Sequence, residues 1–165
     1  MTDKSSTSNN LNIEQFICFE LETELYGIGV KKTESIERMS QITRVPDSSV
    51  HILGIINLRG DILPVLSLRQ MMGIKPKSYD SDTRIIVIDA GNYRVGIVVD
   101  RVIEILSISG IEIQSAKEIL TDRESHMFEG VYRAIDNIVM LLNMDWILDT
   151  GDSYFDKGKK YVADI

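Results

Sequence analysis

The sequence predicts an all-β fold in which one small module occurs twice. Short runs rich in aromatic and β-branched residues alternate with turn-forming residues, a pattern typical of short strands. Five such strands in each copy are enough to roll into a small barrel. A barrel of about 65 residues buries too little of its surface to be stable alone. We therefore expect the two barrels to form one cooperative unit.

Two pairs of similar segments carry the duplication. Residues 16–36 (FICFELETELYGIGVKKTESI) align without a gap with residues 85–105 (IIVIDAGNYRVGIVVDRVIEI). Residues 54–68 (GIINLRGDILPVLSL) align in the same way with residues 130–144 (GVYRAIDNIVMLLNM). Chance similarity between two β-rich segments is the alternative. The length of the gapless matches favours a repeated module.

In the first copy the predicted strands form two hairpins and one strand between them. A polar Glu-Thr-Glu segment separates the first two strands, and the turn Leu58–Asp61 separates the last two. Pro46 ends the strand between the hairpins. The five predicted strands are Phe16–Glu20, Leu25–Val30, Ile42–Val45, Ile52–Asn57 and Ile62–Leu66.

The second copy carries an insertion that predicts a helix. Residues 115–128 are helix-like, with Ser115 as the N-cap and Glu118 three residues on, which is the capping-box pattern. A last helical turn is predicted over Asn143–Leu148, and Gln70–Asp82 has the composition of a connector. The predicted domains are a tail over 1–12, a first barrel roughly over 13–80, a second barrel roughly over 81–148 and a tail over 149–165.

The composition is that of an ordinary soluble protein. The 165 residues are 44% hydrophobic and 26% charged, with a formal net charge of −7 and a pI of about 4.8. A nucleic-acid binder needs a basic surface, and an anionic membrane would repel this chain. The polar N-terminus lacks a secretory signal, and no apolar run reaches the ~20 residues of a membrane span. We expect a cytoplasmic protein in which Cys18, inside an apolar run, is buried and inert.

Arg59 stands out because the turn that it occupies does not need an arginine to fold. The duplication provides an internal control, since a residue needed only to build the module should have a similar counterpart in the other copy. Arg59 aligns with Ile135, so the arginine belongs to one copy alone. This makes it a candidate functional residue. The alternative is an exposed turn arginine that contributes less than ~0.5 kcal/mol to stability.

Four ordered motifs resemble the CheW family of bacterial chemotaxis coupling proteins. They are YGI (26–28), TRVP (43–46), GIINLRGDILPVLSLR (54–69) and VGIVVDRV (95–102). The resemblance runs from about residue 16 to residue 148. It implies two interlocked five-stranded SH3-like barrels with short helices and no catalytic activity. It also implies a scaffold that couples the cytoplasmic tips of methyl-accepting chemoreceptors to the regulatory domain of the histidine kinase CheA.

The resemblance implies that a receptor helix docks in a groove beside Arg59. Many members carry Val-x-Glu-Ile after the YGI strand, where this chain has Thr33 in place of the valine and Ser35 in place of the glutamate. The departure indicates a weaker contact or a divergent receptor. Glu34 is one residue away and would lie on the opposite face of a strand. Core packing is an alternative role for Val102. The implied receptor-binding residues are Arg59, Val102, Ile36, Ser35 and Thr33.

For the kinase, the resemblance implies contacts from the first barrel, at Ile42, Arg44 and Gly54. A glycine at position 54 permits close approach of another backbone. The alternative is a tight strand entry, which the aligned Gly130 favours.

The sequence offers no motif for catalysis, metal binding or cofactor binding. The only histidines, His51 and His126, lie in different copies and without other ligands at metal-binding spacing. Neither a phosphate-loop pattern nor a Gly-x-Ser-x-Gly turn occurs. We therefore predict a non-enzymatic protein without a cofactor, neither bound to nucleic acid nor inserted in a membrane. The resemblance to the CheW family implies that it associates with receptor arrays at the inner membrane.

Two other functions stay open at this stage. One is an adaptor of the same kind in another chemosensory pathway, such as twitching or developmental signalling, which the Thr33 and Ser35 departures allow. The other is a small-ligand-binding or catalytic β-barrel protein.

Overall fold

The computed structural model describes residues 12–46 and 51–149. The predicted tails at 1–12 and 149–165 lie outside these residues except for residues 12 and 149. The described chain forms eleven strands and three short α-helices. The strands are β1 (Ile13–Leu21), β2 (Glu24–Gly29), β3 (Thr33–Arg38), β4 (Ile52–Leu58), β5 (Asp61–Ser67), β6 (Arg84–Asp89), β7 (Arg94–Val99), β8 (Arg101–Ser109), β9 (Ile113–Ser115), β10 (Phe128–Arg133) and β11 (Ile138–Leu142). The helices are α1 (Leu68–Met71), α2 (Ala116–Ile119) and α3 (residues 144–149).

The strands form two sheets. One has six strands in the order β8-β1-β2-β11-β10-β9, and the other has five in the order β3-β6-β7-β5-β4. Each sheet contains one parallel pair, β2 with β11 and β5 with β7. The prediction of an all-β fold of the SH3-like barrel type is confirmed. The six-stranded sheet has one strand more than predicted, because the short strand β9 is added at its edge.

The chain exchanges strands between its two copies. Unit 1 comprises residues 12–31 and 103–144, and unit 2 comprises residues 32–102 and 145–149. Each unit therefore combines the first hairpin of one copy with the later strands of the other. This division differs from the predicted boundary near residue 80, because β3 pairs with β6 of the second copy and not with the β1–β2 hairpin of its own copy.

The duplication is visible in the register of the strands. Gly27 lies opposite Leu141 in the parallel pair of unit 1. The aligned Gly96 lies opposite Val65 in the parallel pair of unit 2, and Val65 aligns with Leu141. A Cβ atom on either glycine would crowd a neighbour, at 2.8 Å from Leu141 Cδ2 or at 2.7 Å from Ile85 Cγ2. The two copies therefore need glycine at the same position.

The predicted hairpins are confirmed as β1–β2 and β4–β5, but Ile42–Val45 is not a regular strand. The segment contacts the sheet by one bridge, in which Thr43 and Ile55 exchange two backbone hydrogen bonds of 2.9 and 2.8 Å. Pro46 has no N–H with which to extend the ladder. The regular strand between the two hairpins is β3, which precedes this segment and was not among the predicted strands.

The helix predicted over residues 115–128 is two separate pieces. They are α2 and a 3₁₀ turn over Glu124–His126. Ser115 stands at the N-cap of α2, but its side chain makes no capping hydrogen bond, so the predicted capping box is wrong. Ser115 is also the last residue of β9, where it pairs with Gly130. The predicted last helical turn is present as α3, with Ile147 and Leu148 buried.

A buried ion pair fixes the start of the predicted connector to unit 2. Arg69 in α1 and Asp100 after β7 are joined by Nη1 and Oδ2 at 3.3 Å, and their side chains are only 7% and 8% exposed. Arg69 Nε donates to the carbonyl oxygen of Lys75 at 3.0 Å, and the N–H of Ile74 donates to the carbonyl of Arg69 at 2.7 Å. The connector therefore begins as an anchored segment.

Cys18 lies in the core of unit 1, packed with residues such as Phe16 and Leu141, and is 2% exposed, as predicted. Burial, together with the charge of Glu104, raises the pKa of its thiol from 9.0 to about 11. The thiol is therefore protonated at neutral pH, and a protonated thiol is a poor nucleophile.

We expect this thiol to lower the free energy of unfolding as the pH rises from 9.0 to about 11. In that window the unfolded chain has lost the Cys18 proton and the folded chain retains it, so rising pH favours unfolding. Below pH 9.0 the contribution to stability is fully present. Urea unfolding at about pH 8 and about pH 10.5 measures the loss. The Cys18→Ala variant should show a smaller loss between these pH values, and an equal loss would contradict the prediction.

Candidate functional site

The turn between β4 and β5 presents Arg59 on the surface of unit 2. Arg59 and Gly60 form a two-residue loop in which both have positive φ, 51° and 92°, which is the geometry of a type I′ turn. The N–H of Gly60 donates to Asn57 Oδ1 at 2.8 Å. A non-glycine residue at positive φ is uncommon and costs about 1–3 kcal/mol. Arg59 is therefore a strained position that the surrounding contacts must hold.

Arg59 makes a two-pronged ion pair with Glu37 of β3. The Nη1–Oε1 and Nη2–Oε2 distances are 3.4 and 3.2 Å. The arginine side chain is 67% exposed and the glutamate side chain is 22% exposed. The guanidinium thus lies outside the barrel core. Its orientation is set by the pair, while much of its surface stays accessible.

Glu37 is a site residue that the sequence analysis missed. Along β3 the half-buried residues alternate with exposed ones, and Ser35 and Glu37 share one face. Many members of the family that this sequence resembles carry glutamate at the position of Ser35. Glu37 offers a carboxylate two residues further along the strand. The period of two in a strand could have identified it. Ile36 lies on the other face and is 40% exposed.

A second arginine, Arg94 at the start of β7, lies between two carboxylates. Its Nη1 is 2.6 Å from Glu34 Oε2, and its Nη2 is 2.7 Å from Asp61 Oδ2. Burial lowers the pKa of this guanidinium, but the two carboxylates more than offset that effect and raise the pKa above its ordinary value. Glu34 thus pairs with Arg94.

Four of the five predicted receptor-binding residues lie on β3 or on the turn bound to it. Thr33, Ser35 and Ile36 are in β3, and Arg59 is joined to the same strand through Glu37. Val102 lies on β8 and is half-buried.

The three predicted kinase-binding residues lie close together in unit 2. Gly54 has a φ of 150°, and a Cβ atom there would overlap the carbonyl oxygen of Thr43 and lie 2.8 Å from Ile42 Cγ2. The close approach that this glycine permits is therefore made by its own chain. Ile42 packs against the core of unit 2, and Arg44 is exposed. Gly130 has the same function in unit 1, where a Cβ atom would lie 2.5 Å from Ile113 Cγ2.

A metal site and a membrane span would each need a specific arrangement of residues. Within the described residues, 12–46 and 51–149, no group of three or more His, Cys, Asp or Glu is placed to hold a metal ion. In the same part of the chain, no helix combines the length and the apolar character needed to cross a membrane.

The fold and the site define a class of protein, a duplicated pair of SH3-like β-barrels with strands exchanged between the copies and an exposed, ion-paired arginine on one turn. The chain belongs to the CheW-like domain family, whose model matches residues 15–151.

Relatives of known name cover most of the chain. It is 32% identical over 137 residues to the chemotaxis protein CheW of Klebsiella aerogenes, which covers 83% of this chain and 82% of that protein. It is 31% identical over 144 residues to the chemotaxis protein CheW of Helicobacter pylori, covering 87% of each chain. The crystal structure of the scaffolding protein TtCheW from Thermoanaerobacter tengcongensis matches with a TM-score of 0.72 and 29% identity, over 79% of this chain and 84% of that one.

Proposed function

We propose that this chain is a non-enzymatic scaffold of bacterial chemotaxis that couples chemoreceptor cytoplasmic tips to a CheA-type histidine kinase. Its relatives are named as chemotaxis and scaffolding proteins, which supports this function. The observation that carries the proposal is Arg59, which is exposed, conformationally strained and held by Glu37. A module that needed only to fold would not need this arrangement, since the aligned turn of unit 1 has Ile135.

The receptor contact in this proposal combines a charged group with an apolar one. Arg59 offers a planar guanidinium and an apolar stem, which make arginine a frequent anchor at interfaces. Because Glu37 already orients the guanidinium, less conformational entropy is lost when a helix docks. Ile36 adds exposed apolar surface on β3, the strand that carries Glu37. Thr33, Ser35 and Val102 complete the proposed receptor contact.

The kinase contact in this proposal uses the segment around the Thr43–Ile55 bridge. Arg44 and the accessible part of Ile42 would contact the regulatory domain of the kinase. Gly54 is buried, so its role would be indirect, in holding Ile42 and Thr43 close to β4. We place the protein in the cytoplasm, recruited to receptor arrays at the inner membrane.

We expect Arg59→Glu to weaken binding of a receptor cytoplasmic fragment by about tenfold or more, because it removes the anchor and opposes Glu37 with a like charge. Titration of the purified variant with the fragment measures the affinity, and circular dichroism measures the fold of the same sample. Ile135→Glu is the matched control, since it places glutamate on the aligned, fully exposed turn of unit 1. A folded Arg59→Glu variant with unchanged affinity would contradict the receptor site.

Reconstitution with a CheA-type kinase and the receptor fragment tests the coupling itself. Kinase autophosphorylation should depend on the receptor only when this protein is present. The same response in its absence would contradict the scaffold function. Receptors from other chemosensory pathways, used in parallel, decide which pathway the protein serves.

A further inference from the structure

Two links join the Arg59 turn to β3. The first is the Arg59–Glu37 ion pair at 3.2 Å. The second runs through Arg94, which contacts Glu34 on β3 at 2.6 Å and Asp61 beside the turn at 2.7 Å. Glu34 and Glu37 are three residues apart, about 10 Å along a strand. Links at two separated points hold the orientation of a hairpin end, whereas a single link lets it pivot.

The backbone ladder alone does not hold this hairpin end. The parallel pairing of β5 with β7 covers only Val65 to Ser67, so Asp61 lies beyond it. On its other side β5 pairs with β4, which is the edge strand of the sheet. The side chain of Arg94 spans the remaining distance to Asp61. A residue held at positive φ, as Arg59 is, persists only where its surroundings fix it.

The local geometry of β3 also favours the Arg94 link. The pairing of β3 with β6 shifts between Thr33 and Ser35, and Glu34 is the additional residue of this bulge. A β-bulge can re-aim a side chain relative to the regular alternation of a strand. Here the carboxylate of the bulged residue contacts the guanidinium of Arg94.

The charged residues of the second link are confined to unit 2, as Arg59 is. Arg94, Glu34 and Asp61 align with residues of unit 1 that carry no charge. Construction of the module therefore does not require this link. The aligned residues of unit 1 are Leu25, Ile103 and Asn137.

We propose that Arg94 is a positioning residue for Arg59, acting through Glu34 and Asp61 to fix the turn on β3 in the orientation that receives the receptor helix. The effect of Arg94 on receptor binding rests on the proposed function. Its structural part, the fixing of the turn, is independent of any partner.

The first experiment measures backbone hydrogen exchange of residues 57–62 in the full chain without a receptor. Arg94→Met should raise the exchange rate there, including at the N–H of Gly60. Arg94→Lys, which keeps the positive charge, should raise the exchange rate by less than Arg94→Met does. Raising the salt concentration to about 1 M should have a similar effect, because screening weakens the partly exposed ion pairs. Arg123→Met, a change to an exposed arginine of unit 1, is the control. Unchanged exchange in Arg94→Met would overturn the inference.

The second experiment is a double-mutant cycle in binding of the receptor fragment. Arg94→Met should weaken binding by about threefold to tenfold in the natural sequence and by less than about twofold when Arg59 is already alanine. An equal loss in both backgrounds would show a merely structural role and overturn the inference. If Arg59→Glu leaves binding unchanged while Arg94→Met raises the exchange rate, the proposed receptor site fails and the fixing of the turn stands.

Discussion

Replacing Asp100 with asparagine is expected to lower the free energy of unfolding by about 3 kcal/mol, because it removes the carboxylate charge that faces the buried guanidinium of Arg69. Both side chains are less than one tenth exposed, so water cannot replace the carboxylate. Arg69 also holds the carbonyl of Lys75, so the anchored start of the connector should loosen as well. Urea unfolding followed by circular dichroism measures the loss.

Two further variants separate charge burial from lost packing at this pair. Lys77 lies 3.9 Å from Asp100 but is 48% exposed, so Lys77→Met should change stability by less than about 1 kcal/mol. The double variant Arg69→Met, Asp100→Leu should recover most of the loss, because apolar residues of similar volume can replace a buried ion pair. If Asp100→Asn is no less stable than Lys77→Met, the loss of the carboxylate charge beside Arg69 is not the cause.

Replacing Gly54 with alanine is expected to lower the free energy of unfolding by about 3 kcal/mol, through backbone strain and steric overlap together. The φ of 150° disfavours any side chain, and a Cβ atom would overlap the carbonyl of Thr43. The substitution should also break the Thr43–Ile55 bridge and displace Ile42 and Arg44. Denaturant unfolding measures the first effect, and, under the proposed function, affinity for the kinase regulatory domain measures the second.

Three other glycines provide matched controls for Gly54→Ala. Gly96 has ordinary φ but a crowded Cβ position, Gly91 has a φ of 91° but open space, and Gly29 has neither problem. Alanine should destabilise at Gly96 and Gly91 by less than at Gly54, and least at Gly29. Equal losses at all four positions would show that lost glycine flexibility, rather than local geometry, decides the effect.

The sequence was sufficient to predict the hairpins and the duplication, but not the strand exchange. Enrichment in aromatic and β-branched residues identifies strands such as Phe16–Glu20, because the composition of a short segment is a local property. The choice of partner strand is not local. The two copies are similar, so pairing β3 with β1 of its own copy or with β6 of the other satisfies the same pattern. Only the connections between strands decide between them.

The same distinction explains what was predicted of the site. Arg59 was found by comparison with Ile135, which needs only the alignment of the two copies. Arg94 was not found, because its partners are 60 residues away at Glu34 and 33 residues away at Asp61. No local pattern connects three such positions. Glu37 could have been found from strand alternation, but β3 itself was missing from the predicted strands.

The exchanged strands determine when each unit can fold as the chain leaves the ribosome. All five strands of unit 2 are complete once Val99 has been made, whereas Gly27 in the hairpin of unit 1 pairs with Leu141. At roughly 5–20 residues per second, the apolar side chains of that hairpin lack their partner strands for several seconds. During this interval Phe16 and Phe19 are open to association with other chains. Newly made protein should therefore need protection at its first hairpin until the last strands emerge.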